Sequence, residues 1–279
     1  MSSKIPPPLE PYLALPPEAS LVLLTSVLGA STNWLVLRYL HRALIHDGAA
    51  SLPSADEGAG VVLVSFMRDF TFWRENAKRM GLDLENLSTK RRFACVDGLT
   101  GLFLPTQQEA SGRTAEYVLG SPSLSDVSRV IRNAVRSLQS PPGSKSKVLL
   151  VIDQPDLILA TTGDEIGPVH LGNVLLDLRE EVHSMLVTLS ADAPSALAQQ
   201  TRLEIDHAAF LLSVAHQADM TLSLRRLDSG TARDVSGVIR ITTGEGQCEN
   251  DRLQKRVEER ELLYFVGGDG GVKVFERGQ

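Results

Sequence analysis

Three stretches of this chain are apolar without alternation: LVLLTSV (Leu21–Val27), VVLVSF (Val61–Phe66) and VLLVID (Val148–Asp153). A strand that is apolar on both faces must be covered on both faces. A mostly parallel sheet with helices on each side does that. The intervening segments carry the helical period. Over about Asn33–Leu44 the apolar residues Trp34, Leu37, Leu40 and Leu44 form a stripe that Leu35, Val36 and Tyr39 widen. Asp69 is placed to cap a helix that runs to about Met80 and closes at Gly81. Leu124, Val127, Ile131, Ala134, Val135 and Leu138 make a second stripe, with Ser123 and Asp126 suited to its start.

The same reading gives short strands at Phe93–Val96 and Met185–Leu189, and helices over about Val169–Glu181 and Leu203–Ala215. From Ala218 onward apolar and polar residues alternate. Strands near 219–226, 236–243, 261–266 and 272–276 therefore read as an antiparallel edge on the sheet. The expected fold is α/β: a mostly parallel central sheet flanked by helices, with antiparallel strands at the C-terminal edge. Residues 1–20 hold six of the 14 prolines and read as an extended arm outside the packed body, with one domain over 21–279. Residues 49–60, 105–123 and 139–147 read as loops or linkers.

Composition excludes several classes. A net charge of −6 over 279 residues is wrong for a protein that coats nucleic acid by bulk charge, so RNA contact requires a local basic patch or an assembly. Two distant cysteines, Cys95 and Cys248, support neither a disulfide framework nor a cysteine zinc site. No apolar run approaches the roughly 20 residues of a spanning helix, and no signal pattern opens the chain. No membrane association is expected. The expected location is the cytoplasm, with the nucleus as the other candidate.

In such a sheet the ligand site lies where strands end and helices begin. After the first strand comes Leu28-Gly29-Ala30-Ser31-Thr32, which offers Gly29, Ser31 and Thr32 but no lysine for a nucleotide's terminal phosphates. The nearest lysines in sequence, Lys4 and Lys78, are too distant to belong to it. VLLVID ends in Asp153, either a magnesium-holding carboxylate or a strand-end acceptor of turn hydrogen bonds. The missing lysine favours the second. Met67-Arg68 stands where a hydrolase of this build wants a carboxylate, and Asp69 is better used as a cap.

The six histidines show no zinc spacing, and His207 reads as a satisfied packing residue. GGDGG at 267–271 joins two strands and reads as a hairpin loop. No cofactor is expected, and no cluster of acid, base and nucleophile marks a small-molecule enzyme. One basic feature stands out. Arg129, Arg132 and Arg136 form a stripe opposite the apolar face of their helix, with Lys145 and Lys147 beyond it. They are candidates for RNA phosphate contact, though a solvated helix face explains them as well.

The run VVLVSFMRDFTFWRENAKRMGLDL, followed by RFACVDGLTGLF and later by VLLVIDQPDLILA, resembles the Elongator complex protein 6 family in its fungal form. The resemblance implies a RecA-like fold without working Walker motifs and a subunit with no catalysis of its own. It implies partners: the fourth and fifth Elongator proteins, in a six-membered ring with two copies of each. It further implies that the ring binds transfer RNA and serves the catalytic subcomplex that modifies the wobble uridine.

By analogy with RecA-like rings, Gln154–Pro168 and Ser190–Arg202 would face the RNA, with Arg202 the leading contact. Asp156, Asp164, Glu165 and Asp192 in the same loops oppose it electrostatically. The alternative is a RecA/KaiC-like ATPase with an atypical phosphate loop, using Asp153 for magnesium, Ser31 or Thr32 for phosphate, and an arginine in place of the lysine.

Overall fold

The computed structural model of the chain describes residues 5–45, 59–103, 116–139, 147–192, 199–227, 232, 234–244, 258–268 and 270–276. The apolar runs become β1 (Ser20–Ser26), β2 (Gly60–Ser65) and, after β3 (Phe93–Asp97) and β4 (Glu116–Val118), β5 (Val148–Asp153). β6 (Ser184–Ser190) and β7 (Met220–Arg225) follow, then β8 (Gly237–Thr243), β9 (Arg260–Val266) and β10 (Val272–Phe275). All ten share one sheet in the order β10-β9-β8-β7-β1-β6-β5-β2-β3-β4. Every pairing from β7 across to β4 is parallel, and β8, β9 and β10 close the other side antiparallel. The expected fold class is the one observed.

Helices cover both faces. Along β2, Val61 and Leu63 join the core under α1 (Asn33–Leu44), α2 (Phe70–Arg79) and α3 (Leu84–Thr89). Val62 and Val64 join the opposite core. It lies under α5 (Leu124–Leu138), which follows the short α4 (Thr100–Phe103), and under α6 (Asp156–Thr162), α7 (Pro168–Glu180) and α8 (Arg202–Gln217). Both cores are built of buried apolar side chains, and each fully buried Val or Leu contributes about 1.5–3 kcal/mol relative to exposure. Asp69 and Ser123 cap α2 and α5 as expected, accepting from the Phe72 and Asp126 N–H groups.

The arm differs from expectation. Pro7–Tyr12 is a 3-10 helix, and Leu9, Tyr12 and Leu13 are buried in the α1-side core. Prolines suit the first turn of a helix because their φ is preset and their missing N–H would have no partner there. The apolar residues between them supply the packing. The Tyr12 hydroxyl donates to the Glu258 carbonyl (2.8 Å), and the Tyr39 hydroxyl donates to the Tyr12 carbonyl (2.8 Å).

The expected loop Gln154–Pro168 is mostly α6 followed by a 3-10 turn at Gly163–Glu165. β4 lies inside the expected loop 105–123, whose first part falls outside the described residues. Most of the 49–60 and 139–147 segments, Cys248, and 193–198 of the Ser190–Arg202 loop are likewise outside them. GGDGG joins β9 to antiparallel β10, with the Gly267 N–H donating to the Gly271 carbonyl (2.8 Å). Among the described residues no helix is long and apolar enough to cross a membrane.

Candidate functional site

Parallel strands put the loop after β1, Asp153 at the end of β5 and Met67–Asp69 after β2 on one edge of the sheet, where ligands of such folds sit. The loop is a tight turn: the Ala30 N–H donates to the Val27 carbonyl (2.9 Å), and Gly29 holds a φ of +87°. Glycine suits the turn because the positive φ strains any L side chain. A Cβ there would stand 1.9 Å from Nη2 of Arg226, whose flexible end would have to move aside. The Arg226 guanidinium, one residue past β7, therefore lies directly on the glycine. From the other side the Leu28 N–H donates to the Asp192 carboxylate (2.7 Å).

The two residues read as phosphate ligands serve the start of α1 instead. The Asn33 N–H donates to Oγ of Ser31 (3.2 Å). Thr32 is buried, and its carbonyl accepts from the Leu35 and Val36 N–H groups at 2.8 and 3.0 Å, opening α1 through the backbone.

Asp153 is walled in. Registry places it in one rung with Ser65 of β2 and Thr188 of β6. Thr188 donates to Oδ1 (2.8 Å) and Ser65 to Oδ2 (3.0 Å), leaving the carboxyl 1% exposed. Burial raises its pKa, opposed by these two hydrogen bonds and by the charge of Arg68. A magnesium ligand needs a free carboxylate oxygen facing the phosphates. Here the carboxyl is buried with each oxygen already accepting a hydrogen bond within the sheet, the loop has no lysine, and an arginine covers its glycine. These residues do not fit a magnesium-bound nucleotide. Ser65, Thr188 and Arg226 are the residues that sequence reasoning missed; strand registry alone would have flagged the first two.

The other predicted residues are scattered. Arg68 follows β2 where a hydrolase would place an acid, and it lies 5.4 Å from the Phe72 ring. Arg202 is the first residue of α8, paired with Asp206 (2.8 Å), at the end set by a Thr201–Glu204 capping box. Along α5, Arg129 pairs with Asp126, Arg132 pairs with Glu181 (2.5 Å), and Arg136 is exposed. The stripe and Arg202 thus stand on different helices, and three of the four are held by carboxylates.

Asp156 begins α6 and turns inward to His207, Oδ2 standing 3.6 Å from Nδ1. Burial raises its carboxyl to about 6, against the pull of His207 and of the Ser190 N–H. His207 Nε2 lies 2.9 Å from the Ser190 carbonyl, so the histidine packs and is satisfied, as read from the sequence. Cys95 is buried in the core, where burial raises its thiol pKa. Among the described residues no three His, Cys, Asp or Glu side chains gather as a metal cage.

Against this geometry the comparisons are consistent. The family model described as Elongation complex protein 6 matches residues 55–262. The Elongator complex protein 6 homolog of Schizosaccharomyces pombe (strain 972 / ATCC 24843) is 23% identical over 270 residues, covering 95% of this chain and 94% of its own. The crystal structure of a KaiC-like protein from the hyperthermophilic archaeon Pyrococcus horikoshii OT3 matches with a TM-score of 0.58 at 17% identity. It covers 99% of this chain and 98% of that one. That last likeness concerns the fold alone.

Proposed function

The chain belongs to the Elongation complex protein 6 family, and from that membership we propose that it is a non-catalytic subunit of the Elongator complex. In this reading it joins the fourth and fifth Elongator proteins in a hetero-hexameric RecA-like ring, two copies of each. The ring binds transfer RNA and presents it to the catalytic subcomplex for wobble-uridine modification, in the cytoplasm or the nucleus. The observation that supports the non-catalytic part is the rung Ser65–Asp153–Thr188, which holds the strand-end carboxylate buried within the sheet. The rival reading as a KaiC-like ATPase needs that carboxylate accessible.

Ring membership is supported by apolar surface. Among the described residues nine large apolar side chains are exposed, and of these Val169 and Leu176 lie on α7 and Leu203, Ile205 and Leu212 on α8, two helices packed on each other. Apolar side chains concentrated on one helical layer mark an interaction surface. Of the four arginines read as RNA contacts, Arg136 on α5 is exposed, while Arg129, Arg132 and Arg202 are carboxylate-paired. Partners in the ring would supply the rest of the positive charge.

The test is deletion of the gene in its own organism, with nucleoside mass spectrometry of bulk transfer RNA. Loss of the 5-methoxycarbonylmethyl and 5-carbamoylmethyl uridines is expected. Normal levels of both would overturn the reading.

A further inference from the structure

Ser190, the last residue of β6, is held on both of its backbone groups by buried titratable side chains. Its N–H donates to Oδ2 of Asp156 at the start of α6 (3.2 Å), and its carbonyl meets Nε2 of His207 on α8 (2.9 Å). Asp156 is 7% exposed and His207 8%.

This geometry fixes where hydrogen sits. A carbonyl only accepts, so Nε2 of His207 is the donor in that contact. Nδ1 then faces Oδ2 of Asp156 across 3.6 Å. Without a further proton, an imidazole lone pair stands against a buried carboxylate, which is unfavourable. With one proton on either atom, the two become an ion pair or an acid facing a base.

Among the described residues the charges acting on the Asp156 carboxyl are His207 from α8 and Asp153 from β5. The other charged side chains at the start of α8 are engaged elsewhere: Arg202 pairs with Asp206 (2.8 Å), and Glu204 completes the capping box with Thr201. On the 3-10 turn after α6, Glu165 is exposed. Residues 193–198 carry no ionisable side chain.

Ser190 in turn holds the closed edge of the sheet. Its hydroxyl donates to Oδ2 of Asp192 (2.9 Å), and Oδ1 of Asp192 accepts from the Leu28 N–H (2.7 Å) in the turn after β1. One chain of contacts therefore runs from the buried pair between α6 and α8 to that turn.

We propose that Asp156 and His207 form a proton-operated latch. With a proton held between Oδ2 and Nδ1, the Ser190–Asp192 segment closes the turn after β1, and loss of that proton releases Leu28. Burial raises the Asp156 carboxyl to about 6, against the pull of His207 and of the Ser190 and Asp156 N–H groups, with Asp153 adding to burial. An aspartate turned out to water titrates near ~3.9. Between those values opening releases a proton, so the open form gains on the closed one by up to about tenfold per pH unit as pH rises. Above about 6 both forms have lost it and the dependence levels off. The latch does not rest on the Elongator reading.

Amide exchange of the full-length chain tests this, read residue by residue by NMR from about pH 4.5 to about 7.5 and divided by the intrinsic rates. Protection at Leu28 and Ser190 should fall at least about tenfold between about pH 4.5 and about 6, then level off. Ala191, whose N–H donates to the Ser26 carbonyl (2.8 Å), should keep its protection. Asp156→Asn supplies an amide that meets Nδ1 without a titrating proton, so protection at Leu28 should no longer depend on pH. His207→Gln removes the charge that pulls the carboxyl down, so the fall should continue to about one pH unit higher.

Flat wild-type protection at Leu28, an equal fall at Ala191, or an Asp156→Asn variant that keeps the fall would each overturn the proposal. Should Asp156→Asn fail to fold, the His207→Gln profile decides: a fall that levels off at the wild-type pH overturns the latch.

Discussion

Thr188 and Ser65 donate to the two oxygens of Asp153, and Thr188 Oγ1 also accepts from the Gln154 N–H (3.0 Å). Removing one hydroxyl therefore strips a partner from a buried carboxyl, whereas changing the carboxyl to an amide keeps polar atoms in place and removes a desolvated charge. Thr188→Val should cost about 1–3 kcal/mol in urea unfolding, and Asp153→Asn less than that or nothing. A reversed order would mean that the rung is not what fixes Asp153. Asp156 gives a pH signature instead. Its folded carboxyl titrates near 6, raised by burial, while an unfolded aspartate titrates near ~3.9. Between those values the unfolded chain has released a proton that the folded chain retains, so this group lowers stability as pH rises from about 4 to 6. His207, the Ser190 N–H and Asp153 set the balance around it. The stability of Asp156→Asn relative to wild type should climb across that window, on the order of 1–2 kcal/mol, in urea midpoints taken at stepped pH. A difference that stays flat from pH 4 to 6.5 would show that the carboxyl does not titrate there.

Elements with a strong period were legible in the sequence. β1, β2 and β5 are apolar on both faces because both faces are covered, and α5 shows its stripe because one side meets the sheet and the other meets water. Short elements were not legible: α3 has six residues and β4 three, too few for a period to register. α6 was hidden behind Gln154-Pro155, which reads as a turn and here leads straight into a helix. The site was half legible. The missing lysine is a sequence fact, but Arg226 reaches Gly29 from a strand almost two hundred residues away, a contact made only by the β1–β7 pairing. The N-terminal 3-10 helix was masked by its prolines, and it yields a test at this scale. Leu9 is fully buried in the α1-side core, and its segment is tied to α1 by the Tyr39 hydroxyl donating to the Tyr12 carbonyl. Leu9→Ala should cost about 2–4 kcal/mol in chemical denaturation, the penalty of a core cavity. A loss below about 0.5 kcal/mol, typical of a surface change, would show the segment to be a free arm after all.

At the scale of the molecule, the question is how one sheet edge and one helical layer divide the work. The edge that carries ligand chemistry in parallel α/β folds is closed here by Arg226, Asp192 and the Asp153 rung. The layer formed by α7 and α8 instead leaves Val169 69% and Leu212 59% exposed. If that layer is the contact surface of the proposed ring, fold stability and assembly must separate under mutation. A charged side chain at either position stays in water in the free chain, so Val169→Glu and Leu212→Glu should each change unfolding free energy by no more than about 0.5 kcal/mol. In the assembled ring the same carboxylate would be buried against apolar atoms without a counter-ion, a penalty of several kcal/mol and a loss of at least about a hundredfold in affinity. Co-expression with the fourth and fifth Elongator proteins should then recover those two without the variant, while the variant alone melts within about 2 °C of wild type. Retention of both partners by the double variant would remove α7 and α8 from the interface. The Elongator role itself would then rest on the transfer-RNA measurement alone.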